Sequence, residues 1–339
     1  MKHAYRGLMI AAASALAMGA GTAGAETTLK MSHFVPTAIG LHTDFMEPWA
    51  RDLEACSNGE VTVEIHPAGS ALGNITKQFD QVRAGVTDIS FGHTGIPRGR
   101  FPRTSLIELP FVAKSANASS FALWNLSGTL LKPEYPGVHM LGMMAHNPGV
   151  IHTTKPVNDL SDLAGLRIRT PNPAISEVLK HYGAEPIGLP PGQIYENLQK
   201  GTLDGLTIDW TGIGAYKLGE VVSYHYDIPL YTVGFFFAMN QRTYDGLPEN
   251  VRACVDKLSG DELVARFGPW WDEWGAAAFA EESASADDVI VVATPEHLEA
   301  AKAELAGVTE ALIQEVSDSG VKNAAEILEA LIATSAEYD

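Results

Sequence analysis

The chain has 339 residues, 46% of them hydrophobic, 19% charged and 8% aromatic, the make-up of a folded globular protein and not of a disordered one. With 41 acids against 23 bases the net charge is −18, which excludes a phosphate backbone as a partner: no nucleic acid is expected to bind. A mean hydropathy near zero, with a single early apolar run, also excludes a multi-span membrane protein.

The chain opens with Lys2 and Arg6, then a nearly unbroken apolar run from Leu8 to Met18, then Ala23-Gly24-Ala25, an A-x-A cleavage pattern. These 11 residues are too short to cross a hydrocarbon core of about 30 Å, so the segment is read as a signal peptide cleaved after Ala25. Removing residues 1–25 takes away two bases and no acids, which leaves 314 residues at −20. The expected address is the periplasm.

The mature length suits two lobes or one large domain. Thr28 to Val35 alternates as a strand and ends at Pro36. Leu41 to Cys56 reads as a helix with Phe45, Trp49 and Leu53 on one face, stopped by Ser57-Asn58-Gly59. Val61, Val63 and Ile65 alternate as a second strand, Ile75 to Ala84 is a short helix closed by Gly85, and Thr87 to Phe91 is a third strand. The order then repeats: strand Leu166 to Thr170, helix Ala174 to Tyr182, strand Glu185 to Leu189, helix Gln193 to Lys200 and strand Leu203 to Ile208. Two βαβαβ halves predict an α/β fold with two lobes, mainly parallel sheets and right-handed crossovers. Parallel sheets bind ligands beyond the carboxyl ends of their strands. Those ends are Phe34 and Gly92-His93-Thr94 in the first lobe, and Arg169 to Asn172 with Asp209-Trp210 in the second. Facing each other, they would line one cleft of a hinged binding protein.

The expected boundaries are 26–148 for lobe I, with part of about 238–265 returning to it, 149–237 for lobe II, and 266–339 for C-terminal helices that strap both lobes. Pro295 to Glu337 has helical spacing, as one long or two broken helices. Trp270, Trp271 and Trp274 crowd the helix before it, and packing against the sheet is favoured over ligand contact. Only two cysteines are present. Cys56 and Cys254 are either one bridge, as export permits, or two buried thiols.

Enzyme signatures are missing: there is no G-x-S-x-G, H-E-x-x-H, C-x-x-C or P-loop. His139, His146 and His152 have spacings that suggest no shared metal face, so neither metal nor cofactor is expected. The positive signal is Arg169, at the mouth of a strand between apolar residues and a proline. Its guanidinium either pairs with a ligand carboxylate or makes a structural salt bridge.

Asp162-Leu163-Ala164-Gly165-Leu166-Arg167-Ile168-Arg169-Thr170-Pro171 resembles the D-L-x-G-L-K-I-R-x-P segment of TRAP-transporter solute-binding proteins of the DctP type. Gly183-Ala184 with Pro186, Tyr195 to Gly205, Met239-Asn240 before Leu247-Pro248, Gly99 to Arg103 with Glu108 to Phe111, and His146 to Gly149 with His152-Thr153 extend the likeness over nearly the whole mature chain. The resemblance implies a non-enzymatic periplasmic receptor, expected to be monomeric, that delivers a small organic acid to the membrane subunits of a sodium-driven TRAP permease. It also implies that Arg169 occupies the family's carboxylate-binding position. The second arginine of the sialic-acid branch falls at Gly149, and that branch's asparagine falls near Ile208. More apolar groups take their place: Trp210 first, then Phe34 and Phe236, with Tyr231 as a further wall and Asp209 as an acceptor for a hydroxyl or ammonium group. A hydroxylated or aromatic monocarboxylate, or a zwitterion, is the expected ligand class. The rival roles are the ligand-binding partner of a sensor kinase and a periplasmic enzyme acting on a small acid.

Overall fold

The structure, a computed structural model, describes residues 27–112 and 114–338; the proposed signal peptide and its cleavage point lie outside them. In chain order the strands are β1 (Thr27–Ser32), β2 (Val61–His66), β3 (Ile89–His93), β4 (Val138–Ala145), β5 (Gly149–Thr153) and β6 (Arg167–Thr170). They continue as β7 (Glu185–Gly188), β8 (Gly205–Ile208), β9 (Tyr224–Tyr231), β10 (Gly234–Asn240) and β11 (Val289–Val292). Lobe I is built on the sheet β2-β1-β3-β10-β4 and lobe II on β11-β9-β5-β8-β6-β7.

Each βαβ unit forms where the periodicity places it, and glycine closes its helix. Gly85 ends the helix Gln78–Ala84 at φ 76°, and Gly183 follows the helix Pro173–His181 at φ 75°, a left-handed backbone that a Cβ would oppose. These units supply parallel pairings: β1 with β2 and β3, β6 with β7 and β8. The sheets are nonetheless mixed. Strands β5 and β10 make the four antiparallel pairings, because each enters its sheet from the other lobe over a short link. One link runs from β4 to β5 through His146-Asn147-Pro148, the other from β9 to β10 through Thr232-Val233. The two are tied together, His146 N–H donating to the Val233 carbonyl at 3.3 Å and the Thr232 hydroxyl to the His146 carbonyl.

The return to lobe I therefore starts at Gly234, not near 238, so Phe235 to Phe237 belong to lobe I. The boundary expected at 266 falls inside one helix, Gly260–Ala284. This helix packs on the lobe I helix Ala116–Ser127 and on the lobe II helix Trp210–Ala215. Beyond it, Pro295–Asp318 packs on Pro173–His181 in lobe II, and Ala324–Ala336 packs on Ala116–Ser127 in lobe I. The last two helices thus strap both lobes, as two pieces rather than one.

Lobe I has an aromatic core. Trp49 and Phe45, one helical turn apart, meet Phe237 of β10 edge-on at 4.9 and 5.9 Å between centroids, and Phe45 also meets Phe267 at 5.2 Å. Each such ring, fully buried, contributes roughly 1.5–3 kcal/mol. Nearby, Cys56 and Cys254 form a disulfide between the ends of two helices, with Cα atoms 5.8 Å apart.

Candidate ligand-binding site

The carboxyl ends of β1, β3, β6 and β8 converge on a cavity of ≈ 70 Å³ between the lobes. Roughly 10–15 Å³ of such space holds one water, so the cavity has room for about five water-sized groups: a compact ligand.

Lobe II supplies the charge. Arg169 is 2% exposed, and its guanidinium is pinned by two backbone carbonyls: Nε donates to Leu189 O at 2.9 Å and Nη1 to Thr207 O at 3.0 Å. Among the described residues no carboxylate lies within 4.0 Å of it, and burial pulls its pKa down. Its arginine neighbour shows the contrast. Arg167 donates through Nε to Asp204 at 2.8 Å, and that pairing holds the Asp204 carboxyl far below the usual carboxylate range. An arginine buried with its ionic capacity unspent is a site for an anion. The nearest acid facing the cavity is Asp209, whose Oδ2 accepts from Trp271 Nε1 at 2.8 Å, so an indole already holds that carboxylate.

Around the guanidinium stand neutral donors. Tyr231 and Tyr216 line the cavity, and burial pushes both phenols up, so they keep their protons. His93 is held near pKa 3 by burial first, and then by the charges of His146 and Arg169. Its Nδ1 accepts from Gly95 N–H at 2.9 Å, so the ring proton sits on Nε2, a second donor for an acid. His146 Nδ1 donates to the Asn147 carbonyl, which turns Nε2 away from the backbone.

Aromatic side chains wall the rest. In the antiparallel pair of β3 and β10, Phe235 stands opposite His93 and shares its face, with ring centroids 5.9 Å apart. Phe34 lies 6.3 Å from both rings, and Trp271 lies 5.6 Å from Phe235. Trp274 completes this wall from the next turn of the same helix.

Of the residues expected from sequence, Arg169, Asp209, Phe34, His93 and Tyr231 come together here. Three do not. Phe236 stands opposite Gly92 on the other face of the sheet, among Phe79, Phe101 and Tyr135; a Cβ at Gly92 would lie 2.2 Å from its ring, so the glycine is what admits it. Trp210 turns into the lobe II core against His152 and Phe279, because Asp227 of β9 accepts from its Nε1 at 3.0 Å. Asn172 caps the helix Pro173–His181 by accepting from Ile175 N–H at 2.9 Å, and it lines a neighbouring groove between the lobes instead. Within the run Phe235-Phe236-Phe237, sequence reasoning ranks Phe236 above Phe235; it misses His146 and Tyr216, and it places Trp271 and Trp274 in packing. Pairing the β3 end with the Phe run would have found Phe235; no local signal marks Tyr216.

The position of the missing second arginine has a structural answer. Gly149 lies opposite Tyr231, and a Cβ there would sit 2.3 Å from Tyr231 Cε1. The glycine makes room for the phenol that occupies this corner.

The chain resembles solved structures over most of its length. A marine metagenome TRAP solute-binding protein specific for aromatic acid ligands, in complex with metahydroxyphenylacetate, is 31% identical, with a TM-score of 0.87 over 92% of this chain and 99% of that one. A TRAP solute-binding protein from Rhodoferax ferrireducens with copurified benzoate is 29% identical, with a TM-score of 0.86 over 92% and 98%. One from Bordetella bronchiseptica with bound (R)- and (S)-mandelate is 29% identical, with a TM-score of 0.82 over 92% and 100%. These relatives are receptors and not enzymes. The family described as bacterial extracellular solute-binding protein, family 7 (DctP), matches residues 31–315, and the chain belongs to it: it is a TRAP-type solute-binding protein.

Proposed function

We propose that the ligand is a compact aromatic monocarboxylate. Its carboxylate lies on Arg169 with His93 Nε2–H and the Tyr231 hydroxyl as further donors, and its ring lies between Phe34, Phe235 and Trp271. The observation that carries this reading is a buried, carboxylate-free guanidinium opening into an aromatic-walled cavity. A dicarboxylate lacks a second cationic partner there, since Gly149 and Tyr231 take that corner. The structural relatives that bind benzoate, mandelate and metahydroxyphenylacetate support the same class. In this reading residues 1–25 direct export to the periplasm, and the receptor passes its ligand to the membrane subunits of a sodium-driven permease.

The test is calorimetric titration and thermal shift with benzoate, 3-hydroxybenzoate and mandelate against succinate and glucuronate. A ligand at 1,000 times its Kd adds about 4 kcal/mol to stability, a plain shift. Arg169→Ala is expected to lose about 2–5 kcal/mol, or roughly 30- to 5,000-fold in affinity, since it strips the partner from a buried carboxylate. Preference for succinate, or affinity unchanged in Arg169→Ala, would overturn the assignment.

A further inference from the structure

Away from the ligand cavity, the far end of lobe II brings His225 of β9, Glu282 near the end of the long helix, and Asp288 just before β11 together, with one ligating atom of each within 4.8 Å of the others. We propose that this cluster is a divalent-cation site of the zinc type, one that clamps the end of the helix Gly260–Ala284 to the lobe II sheet.

The chain of hydrogen bonds that orients the cluster starts outside it, at Ile208. Its carbonyl can only accept, and His152 Nε2 lies 3.2 Å from it, so the His152 proton is on Nε2. His152 is fully buried against the Trp210 ring with no carboxylate bonded to it, a setting that favours an uncharged ring, so its Nδ1 is a lone pair. That lone pair lies 2.7 Å from His225 Nδ1, which must therefore donate. His225 Nε2, on the other side of the ring, points out of the core toward the two acids. It lies 3.3 Å from Asp288 Oδ1, with the Glu282 carboxylate beside them, so two carboxylates share the space around one imidazole nitrogen. Something positive belongs between them.

The Glu282 carboxylate lies directly over Gly219, where a Cβ would stand 2.2 Å from Oε1, so a side chain at 219 would turn the carboxylate aside. Asp227 on β9 and Glu281 on the helix add negative charge nearby. The 3.3 Å between His225 Nε2 and Asp288 Oδ1 also fits. Two ligands at about 2.0–2.1 Å from one tetrahedral zinc are about 3.3 Å apart. One imidazole with two carboxylates suits zinc and its first-row neighbours better than calcium or magnesium, which take oxygen ligands. The buried His152 then plays the orienting role that a metal-bound histidine's other nitrogen usually needs.

The test uses chelator-treated full-length protein, titrated with ZnCl2 and, separately, CaCl2 and MgCl2, and read by calorimetry and melting temperature. One zinc per chain is expected, with a raised melting temperature and little response to the other two ions. Cobalt(II) should give the visible absorption of a tetrahedral site. Asp288→Asn and Glu282→Gln should each weaken zinc by more than the roughly 10- to 100-fold that loss of an orienting partner alone costs, while benzoate titration stays as in the parent chain. Two variants on different elements, each checked by its own melting curve, separate loss of the ion from loss of the fold. Absence of stoichiometric zinc binding would mean that a shared proton fills the gap, and would overturn the proposal. Zinc binding undiminished in both folded variants would place the ion on surface histidines, and would overturn it equally.

Discussion

Gly149→Ala is the sharpest probe of the cavity, because its backbone tolerates the change and only its neighbour does not. Gly149 lies in β5 without a positive φ, so alanine brings no backbone strain. The new Cβ would stand 2.3 Å from Tyr231 Cε1 and 2.8 Å from its hydroxyl, whereas ordinary contact begins at 3.4 Å. The ring must retreat by about 1 Å from a site in which it is 1% exposed. Overpacking of that kind costs about 1–3 kcal/mol in stability. The displaced hydroxyl no longer reaches a carboxylate on Arg169, and one hydrogen bond is worth about 0.5–1.5 kcal/mol, so affinity should fall about 2- to 10-fold. Thermal unfolding and benzoate calorimetry on the four members of a Gly149→Ala/Tyr231→Ala cycle read both quantities. With the ring removed, alanine at 149 should cost less than about 0.5 kcal/mol. Parent-like melting and affinity in Gly149→Ala, or the same loss in both backgrounds, would refute the account of this corner.

Tryptophan fluorescence should respond to an aromatic acid through Trp271 and Trp274, so the response survives Trp210→Phe and shrinks in Trp271→Phe; loss in Trp210→Phe would mean that the indole faces the ligand after all. Phe235→Leu should weaken benzoate by about 0.5–1.5 kcal/mol with modest change in stability, whereas Phe236→Leu should lower stability by about 1–3 kcal/mol and spare affinity. Calorimetry and melting curves that ranked the two the other way would put the wrong face of β10 toward the cleft. Glu108 is buried behind His93, accepts from the Thr94 hydroxyl at 3.3 Å, and is pushed from 4.5 up to about 8, chiefly by burial. Between those values the folded chain keeps a proton that the unfolded chain releases, so stability falls as pH rises from about 4.5 to 8, by up to about 5 kcal/mol at 1.36 kcal/mol per unit. Glu108→Gln should flatten that slope in urea titrations across the range; an unchanged slope would assign it elsewhere.

The βαβ units were legible because their signal is local. Alternation, a helical stripe and a closing glycine all lie within about ten residues, and β1, β2, β6 and the helices between formed where that pattern put them. Arg169 was legible for a related reason: a cation between apolar residues at a strand end has nowhere apolar to go. Trp210 shows the limit. Its position after β8 suggests the cleft, but its direction is set by Asp227, on a strand that the sequence alone does not place beside it. Trp271 and Trp274 were assigned to packing because the side of a helix that faces a cavity depends on how the helix crosses two lobes. For the Phe run, alternation separates one face from the other, and only the register with His93 says which is which.

The division of the cavity between lobes has a consequence for how a captured acid leaves. Arg169 is anchored to Leu189 and Thr207, both of lobe II, while Phe34, His93 and Phe235 belong to lobe I. In the proposed reading, parting of the lobes about the two crossing links would leave the ionic half of the pocket assembled and the acid with its charge partner, now open to water. Dissociation would then be two steps in series: parting of the lobes, and escape from a single exposed face. Salt screens exposed ion pairs far more than buried ones, so it speeds the second step and leaves the first nearly unchanged. The ionic-strength dependence of the off-rate therefore reports which step sets the residence time, and with it whether a permease that only holds the lobes apart would be enough to unload the receptor.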